Sequence, residues 1–140
     1  MVAMRERLRI LLVEDNAGDV VLVREALSRL PMPVDLDCAR DGAEAMDYLH
    51  SRQRQDLLGG LDLVVLDLNL PGKNGKEVLA EIEADPLLRG VRVAILTSSR
   101  YDSDICDRHP AVACRFFAKT PDLHELYATV ASIIQFAGSR

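Results

Sequence analysis

The sequence lacks an apolar run long enough to cross a membrane. A transmembrane helix needs about 20 consecutive apolar residues, whereas the apolar runs here, such as Leu63–Leu66, have the length of a strand. Residues 1–9 carry charge but no apolar segment of the kind that signal peptides contain. These two absences argue against a membrane or secreted protein and predict a cytoplasmic location.

Clustered positive charge is also missing. The chain has 17 Lys and Arg against 22 Asp and Glu, a formal net charge of -5, and its arginines are scattered along the sequence. Binding of nucleic acid relies on Lys and Arg grouped on one face, where they neutralise phosphates. The sequence therefore predicts no nucleic-acid partner.

Cysteine is scarce and carries no metal-binding spacing. Cys38, Cys106 and Cys114 form neither a CxxC pair nor a Cys/His group with the spacing of zinc ligands. Widely spaced cysteines in a cytosolic chain are usually buried as small apolar side chains. We therefore expect all three to be buried, and the sequence assigns them no function.

Internal repeats, linkers and low-complexity stretches are absent from the 140 residues, of which 49% are hydrophobic. This length suits one domain with a sizeable core. We expect a single domain over residues 1–140, with its core at about residues 8–137.

Strand-like and helix-like patterns alternate five times. Helices are predicted after the capping residues Asn16, Asp41 and Asn74, and a last one with Pro121 in its first turn. A further helix over residues 99–109 is only weakly amphipathic. The predicted strands span residues 8–13, 34–39, 61–66, 91–96 and 111–117. This alternation predicts an α/β fold with a five-stranded parallel sheet, doubly wound by five helices.

Polar residues follow four of these strands. Glu14 and Asp15 come after the first, Asp67 after the third, Thr97 after the fourth, and Lys119 soon after the fifth. Ligands of open parallel sheets bind at the carboxyl ends of the strands. We therefore expect these side chains to meet in one crevice.

Each of these signals has an ordinary structural explanation. Taken alone, Glu14-Asp15 is better explained as a turn before a helix, and Thr97 fits common turn chemistry at a strand end. Lys119 alone would be a solvated lysine, and the aromatic Phe116, three positions before it in the fifth predicted strand, would be a core residue. Asp67 directly after a fully apolar strand is harder to explain without a function.

Taken together, the five residues and their order resemble the receiver domains of bacterial response regulators. Asp67 lies in Leu66-Asp-Leu-Asn-Leu-Pro71 with Gly75 following, a segment similar to the phosphorylation loop of that family. The resemblance covers residues 8–137. It implies a flavodoxin-like fold with strand order 2-1-3-4-5 and a phospho-accepting function in a two-component system.

The acidic residues predict a bound cation. Two carboxylates about 5 Å apart repel each other by roughly 3 kcal/mol at an effective dielectric constant near 20, and hard oxygen ligands suit Mg²⁺. Asp15 and Asp67 would bind the ion directly and Glu14 through water. The resemblance adds the backbone carbonyl of Asn69 as a ligand.

The resemblance also assigns roles in the reaction. Asp67 would take a phosphoryl group from a phosphohistidine of a histidine kinase, Lys119 would contact its oxygens, and Thr97 would donate its hydroxyl to it. Phe116, three positions before the lysine, would be the aromatic switch residue that moves with Thr97. Such a protein is no enzyme beyond catalysing its own phosphorylation and dephosphorylation.

The chain departs from the family at one position. Receivers usually carry proline after the lysine, in a cis peptide bond, whereas Thr120 follows Lys119 here. A cis bond before a residue other than proline costs about 3 kcal/mol. Either the bond is trans and Lys119 is aimed differently, or the site tolerates the strain.

The expected output is protein contact, because no DNA-binding segment follows the last predicted helix. The run from Val13 to Asp19 and the Lys119-Thr120 pair resemble single-domain regulators of bacteriophytochrome kinases. These often form homodimers through the fourth helix, fifth strand and fifth helix, a contact to which the apolar residues Ile133, Ile134 and Phe136 would add.

Two other functions remain open. A phosphatase of the haloacid dehalogenase type also uses an aspartate after a strand, but it needs a second aspartate where this chain has Asn69. The second alternative is a binding module with a silent receiver fold. The intact acidic and cationic positions disfavour it.

Overall fold

The computed structural model describes residues 7–138, which form one parallel sheet with helices on both faces. The five strands are β1 (Leu8–Val13), β2 (Val34–Ala39), β3 (Leu63–Leu66), β4 (Val93–Thr97) and β5 (Cys114–Ala118). The α-helices of the described part are α1 (Ala17–Ser28), α2 (Gly42–Arg54), α3 (Gly75–Ala84) and α4 (Leu123–Gly138).

The strand order is β2-β1-β3-β4-β5, and every neighbouring pair is parallel. This confirms the doubly wound, flavodoxin-like sheet with order 2-1-3-4-5. β3 has all four of its side chains buried and β4 all five of its own, as strands covered on both faces should.

Two hydrophobic cores lie on opposite faces of the sheet. One packs the sheet against α2 and α3 through Met46, Leu49, Val78 and Ile82. The other packs it against α1 and α4, with side chains such as Leu27, Leu126, Val130 and Ile133. Because side chains alternate along a strand, Phe116 of β5 contacts the first core and Phe117 the second.

The predicted helix starts are those observed for the first three helices. The side chains of Asn16 and Asp41 each accept a backbone N–H of the first turn. Asn74 and Glu77 form a complete capping box at the start of α3. Gly72, in the loop before it, has φ +63°, as a type II turn requires at that position.

The predicted fourth α-helix is wrong. Residues 99–109 instead form two short 3-10 turns, Arg100–Asp102 and Ile105–Arg108, so the described chain has four α-helices rather than five. Aspartate and serine are frequent in this segment and compete with helical hydrogen bonds. Ile105 is its one fully buried residue, so little apolar packing supports a longer helix.

Three strands begin later than predicted. β3, β4 and β5 start two to three residues after the expected positions because the preceding residues are held in turns. The Leu61 amide donates to Leu58, the Val91 amide to Leu88, and the Val112 amide to His109.

The last helix also starts later than predicted. α4 begins at Leu123, so Pro121 precedes the cap instead of occupying the first helical position. Asp122 caps the helix, since its carboxylate accepts the Glu125 amide at 2.9 Å.

The expectation for the cysteines is wrong as well. Cys106 and Cys114 form a disulfide with their Cα atoms 5.3 Å apart, and Cys38 is exposed. The turn Ile105–Arg108 packs against the start of β5, which brings the two cysteines within the usual range for a disulfide. Spacing along the sequence did not indicate this pairing.

Within residues 7–138, none of the helices combines the length and the apolar character that crossing a bilayer requires. The predicted absence of a signal peptide concerns residues 1–9, of which residues 1–6 lie outside the described part of the chain.

Candidate functional site

The polar residues predicted to meet do so at the carboxyl edge of the sheet. Glu14 follows β1, Asp67 follows β3, Thr97 ends β4 and Lys119 follows β5. The strand order reverses beside β1, which leaves a crevice at this edge. Glu14, Asp67 and Thr97 are buried, with relative exposures of 3%, 5% and 0%.

Lys119 contacts three carboxylates. Its Nζ lies 2.6 Å from Glu14 Oε2, 2.8 Å from Asp67 Oδ2 and 2.9 Å from Asp19 Oδ2. Burial lowers the pKa of Lys119, but hydrogen bonds to Asp67, Glu14 and Asp19 outweigh it, so the net pKa is raised. The lysine is therefore a permanent cation facing Asp67.

The peptide bond between Lys119 and Thr120 is trans, as all peptide bonds in the described residues are. Of the two possibilities left by the sequence, the site therefore adopts the unstrained one. Lys119 still reaches the crevice, helped by its backbone amide, which donates to the carbonyl of Thr97 at 2.8 Å.

Glu14 is a buried carboxylate with two partners. Its Oε1 accepts the backbone N–H of Asn16 at 3.1 Å, and its Oε2 accepts from Lys119. Burial raises the pKa of Glu14 to about 7, although the hydrogen bonds from Lys119 and Asn16 oppose the shift; the charge of Asp67 adds to it. A nearby cation would favour the ionised form.

The carboxylates of Glu14, Asp15 and Asp67 can each direct one oxygen into a group whose atoms lie within 4.8 Å of one another. Asp15 is exposed, so an ion bound there could keep water molecules. Several hard oxygen ligands beside open solvent suit a divalent cation such as Mg²⁺ or Mn²⁺. The residues present therefore fit a metal ion.

The loop after β3 is built around Asp67. The backbone N–H of Asn69 donates to Asp67 Oδ1 at 3.1 Å. Gly75 begins α3 against the backbone of this loop: a Cβ at that position would overlap the Asp67 carbonyl oxygen and lie 2.6 Å from Leu68 Cα. The close approach of α3 thus requires glycine and fixes the loop that presents Asp67.

Thr97 lies at the end of β4, opposite Ala118 of β5. Its Oγ1 accepts the backbone N–H of Ser99 at 3.3 Å. The Ser99 hydroxyl in turn donates to Asp102 at 2.9 Å, and Lys76 of α3 contacts the same carboxylate at 2.9 Å. Hydrogen bonds from Lys76 and Ser99 hold the pKa of Asp102 below its usual range.

Phe116 lies in β5, paired with Ile95 of β4. Its ring is half-buried and packs against the core beneath α2 and α3, as does Cys114 two residues earlier. The aromatic ring thus lies on the same side of the sheet as the 3-10 segment that carries Cys106.

Sequence reasoning missed two residues of this region. Asp19, in the first turn of α1, reaches Lys119, and Asp102 joins the loop after β4 to α3. Acidic residues are common at helix starts, so the position of Asp19 alone carried no signal beyond capping. Its contact with Lys119 spans 100 residues of sequence, and only the fold brings the two together.

Comparison with known proteins identifies the family. The family model named response regulator receiver domain matches residues 10–131 of this chain. The chain is 36% identical over 127 residues to the response regulator Rcp1 of Synechocystis sp., covering 91% of this chain and 86% of Rcp1.

Solved structures agree with this assignment. The phosphorylated cyanobacterial phytochrome response regulator RcpA matches with a TM-score of 0.80 at 40% identity, covering 95% of both chains. The Mn²⁺-bound form of Rcp1 gives 0.76 at 37% identity, covering 91% of this chain and 92% of that one. The bacteriophytochrome response regulator AtBRR gives 0.69 at 36% identity, covering 96% and 94%. The chain belongs to the response regulator receiver domain family and is a homologue of the phytochrome response regulators.

Proposed function

We propose that this response regulator accepts one phosphoryl group on Asp67 in a reaction that requires Mg²⁺. The observation that carries the proposal is the position of Asp67, which is buried between the Lys119 ammonium and the acidic group of Glu14 and Asp15. A single anion held beside both a cation and a metal-binding group is suited to receive a phosphoryl group.

In the proposed reaction, a carboxylate oxygen of Asp67 attacks the phosphorus of a phosphohistidine. An oxygen–phosphorus bond forms and the phosphorus–nitrogen bond breaks, with its electron pair remaining on the imidazole, which takes up a proton. Lys119 then contacts the phosphoryl oxygens as a point charge. Hydrolysis reverses the modification when water attacks the phosphorus and releases inorganic phosphate, so the protein acts only on itself.

Glu14, Asp15, Asp67 and the backbone carbonyl of Asn69 are the proposed ligands of Mg²⁺. When bound, the ion neutralises negative charge that develops on the transferred phosphoryl group. The oxygen-only side-chain donors Glu14, Asp15 and Asp67 support this choice, and so does the Mn²⁺-bound structure of the homologue Rcp1.

Thr97 and Phe116 are the proposed switch. After phosphorylation the Thr97 hydroxyl would leave Ser99 and donate to a phosphoryl oxygen, and the half-buried ring of Phe116 would repack. The short 3-10 turns beside β5 support a movable surface here, because few buried residues hold them. Phosphorylation would shift an existing equilibrium between two packings.

The proposed phosphodonor is a histidine kinase of the bacteriophytochrome type, in the cytoplasm. The homology with RcpA and AtBRR supports it, since one is named a phytochrome response regulator and the other a bacteriophytochrome response regulator. The exposed apolar side chains of Val21 and Leu22 on α1 offer a docking surface for it. We further propose that residues 1–140 form one domain and that this domain acts through contact with another protein, without nucleic acid.

A homodimer through the segment 99–109, β5 and α4 remains a proposal. Two of the apolar residues expected in this contact are not available for it. Ile133 and Phe136 are buried in the chain's own core, with exposures of 2% and 7%. The half-buried Ile134, the exposed Leu123 and the fully exposed ring of Tyr101 are apolar groups available for such a contact.

Beryllofluoride, a mimic of the phosphoryl group, tests the proposal. Isothermal titration calorimetry should detect one equivalent bound in the presence of Mg²⁺, and none with EDTA or in Asp67→Asn. A small acyl phosphate then distinguishes the alternatives: a receiver is labelled once, a phosphatase turns over many equivalents, and a silent module does not respond. Phosphotransfer from a panel of purified histidine kinases would identify the partner.

A further inference from the structure

We propose that Asp19 is a positioning residue for phosphoryl transfer to Asp67, and that its carboxylate holds the Lys119 ammonium against the crevice. This inference rests on the proposed function, because it concerns the lysine that would bind the transferred group. It assigns a role to a residue of α1, whereas the other residues of the site lie at the ends of strands or just after them.

The first argument is the geometry of the ammonium. A lysine has three N–H donors and no acceptor, and Nζ of Lys119 has a carboxylate oxygen within 2.9 Å in three directions, from Glu14, Asp67 and Asp19. Each donor therefore has a partner. The long stem carries about 2 kcal/mol of rotamer entropy, so the direction of the ammonium depends on these partners.

The second argument separates Asp19 from the other two partners. Glu14 and Asp67 belong to the acidic group that can hold a metal ion, and a bound ion would compete with the ammonium for their oxygens. Asp67 also changes chemically when it is phosphorylated. Asp19 is the partner that stays the same throughout the reaction, and two donors of Lys119 remain for phosphoryl oxygens.

The third argument is that Asp19 is itself held in place. The Asn16 side chain caps α1 and accepts the backbone N–H of Asp19 at 2.9 Å. The carboxylate therefore extends from the first turn of a helix of 12 residues, while its side chain keeps 37% exposure. A charge fixed by a helix start can restrain a flexible lysine without being buried.

The fourth argument is the sequence after the lysine. Thr120 turns away toward α4, where its hydroxyl donates to Glu125 at 2.6 Å and accepts the Asp122 amide at 3.2 Å. The Lys119-Thr120 bond is trans. The residue after the lysine thus contributes to the helix cap, and the restraint on the ammonium comes from Asp19 of α1.

The test compares Asp19→Ala and Asp19→Asn with Glu25→Ala, which removes a carboxylate of the same helix paired with Arg29. Two readouts are used with Mg²⁺ present: the rate of phosphorylation by acetyl phosphate and the affinity for beryllofluoride. Loss of one charge-assisted hydrogen bond at a partly exposed site should lower both in Asp19→Ala by about threefold to tenfold. Asp19→Asn keeps an acceptor and should lose less, and Glu25→Ala should match the wild type.

The same substitution in a Lys119→Met background shows whether Asp19 acts through the lysine. If it does, Asp19→Ala should change neither readout there by more than about 1.5-fold, because the two residues form one unit. An undiminished effect in that background, or an effect below about twofold in the wild-type background, would overturn the inference. If the wild type itself binds no beryllofluoride, the proposed function fails first.

Discussion

The Nζ atom of Lys119 lies 2.8 Å from Oδ2 of Asp67, although the peptide bond after the lysine is trans. These residues are 52 positions apart and follow β3 and β5, the strands on either side of β4. The contact places a cation at the proposed phosphoacceptor and gives its carboxylate a charged hydrogen-bond donor. It also implies a competition, because a metal ion must share the same carboxylates.

Replacing Lys119 with methionine should expose this competition. Without the ammonium, the buried Glu14 and Asp67 carboxylates repel each other, so we expect the metal-free variant to be less stable by about 3 kcal/mol. Mg²⁺ should bind it more tightly than the wild type, because no cation has to be displaced. Thermal unfolding with and without Mg²⁺ measures both effects, with Arg54→Met, at an exposed arginine of α2, as control. Weaker Mg²⁺ binding in Lys119→Met would contradict the account.

Gly75→Ala should disrupt the loop that presents Asp67. The added methyl group would overlap the Asp67 carbonyl, and relieving the overlap by moving backbone should cost about 1–3 kcal/mol. Beryllofluoride affinity should fall with it, since Asp67 shifts. Gly90→Ala is the matched control, because a Cβ there meets nothing within 4 Å. Equal unfolding free energies for the two variants would show that α3 does not pack as described.

Reduction of the Cys106–Cys114 disulfide should destabilise the protein. A bond that closes so short a loop restricts the unfolded chain, and its loss should cost about 2–3 kcal/mol. Urea unfolding with and without dithiothreitol measures the difference, which should vanish in Cys106→Ser and persist in Cys38→Ser. A thiol count should rise from one to three on reduction. Three free thiols in the untreated protein would refute the bond.

Asp102 should make the free energy of unfolding depend on pH in the acid range. Its pKa is lowered in the folded state by hydrogen bonds from Lys76 and Ser99, so its contribution is present above the unfolded value near 3.8 and is lost as pH falls through the folded pKa. Asp102→Asn should therefore be less stable than the wild type at pH 7. The difference in unfolding free energy between the two proteins should become smaller below about pH 4. Denaturant unfolding across this range measures it; a gap independent of pH would show that the carboxylate charge is not involved.

Much of the fold could be predicted from the sequence because it depends on interactions between residues close together in the chain. Apolar strands such as Leu8–Val13, and capping residues such as Asn74, act within a few positions, so their spacing predicts the element directly. The site residues Glu14, Asp67, Thr97 and Lys119 were predictable because parallel strands deliver their carboxyl ends to one edge.

The rest depended on tertiary contacts. The 3-10 turns near Ile105, the Cys106–Cys114 bond and the Asp19–Lys119 contact each require knowing which elements pack together. The start of α4 was misplaced because Thr120, Pro121 and Asp122 all favour a helix start, and only the Glu125 amide shows which residue caps it. Local propensity ranks such candidates poorly when several are adjacent.

The central claim is that Asp67 becomes an acyl phosphate, and mass spectrometry of the intact protein tests it most directly. After incubation with Mg²⁺ and acetyl phosphate, we expect one added phosphoryl group, located on the peptide that contains Asp67 and absent from Asp67→Asn. Omission of Mg²⁺ should abolish it. An unmodified wild-type chain under these conditions, or the same adduct in Asp67→Asn, would contradict the account.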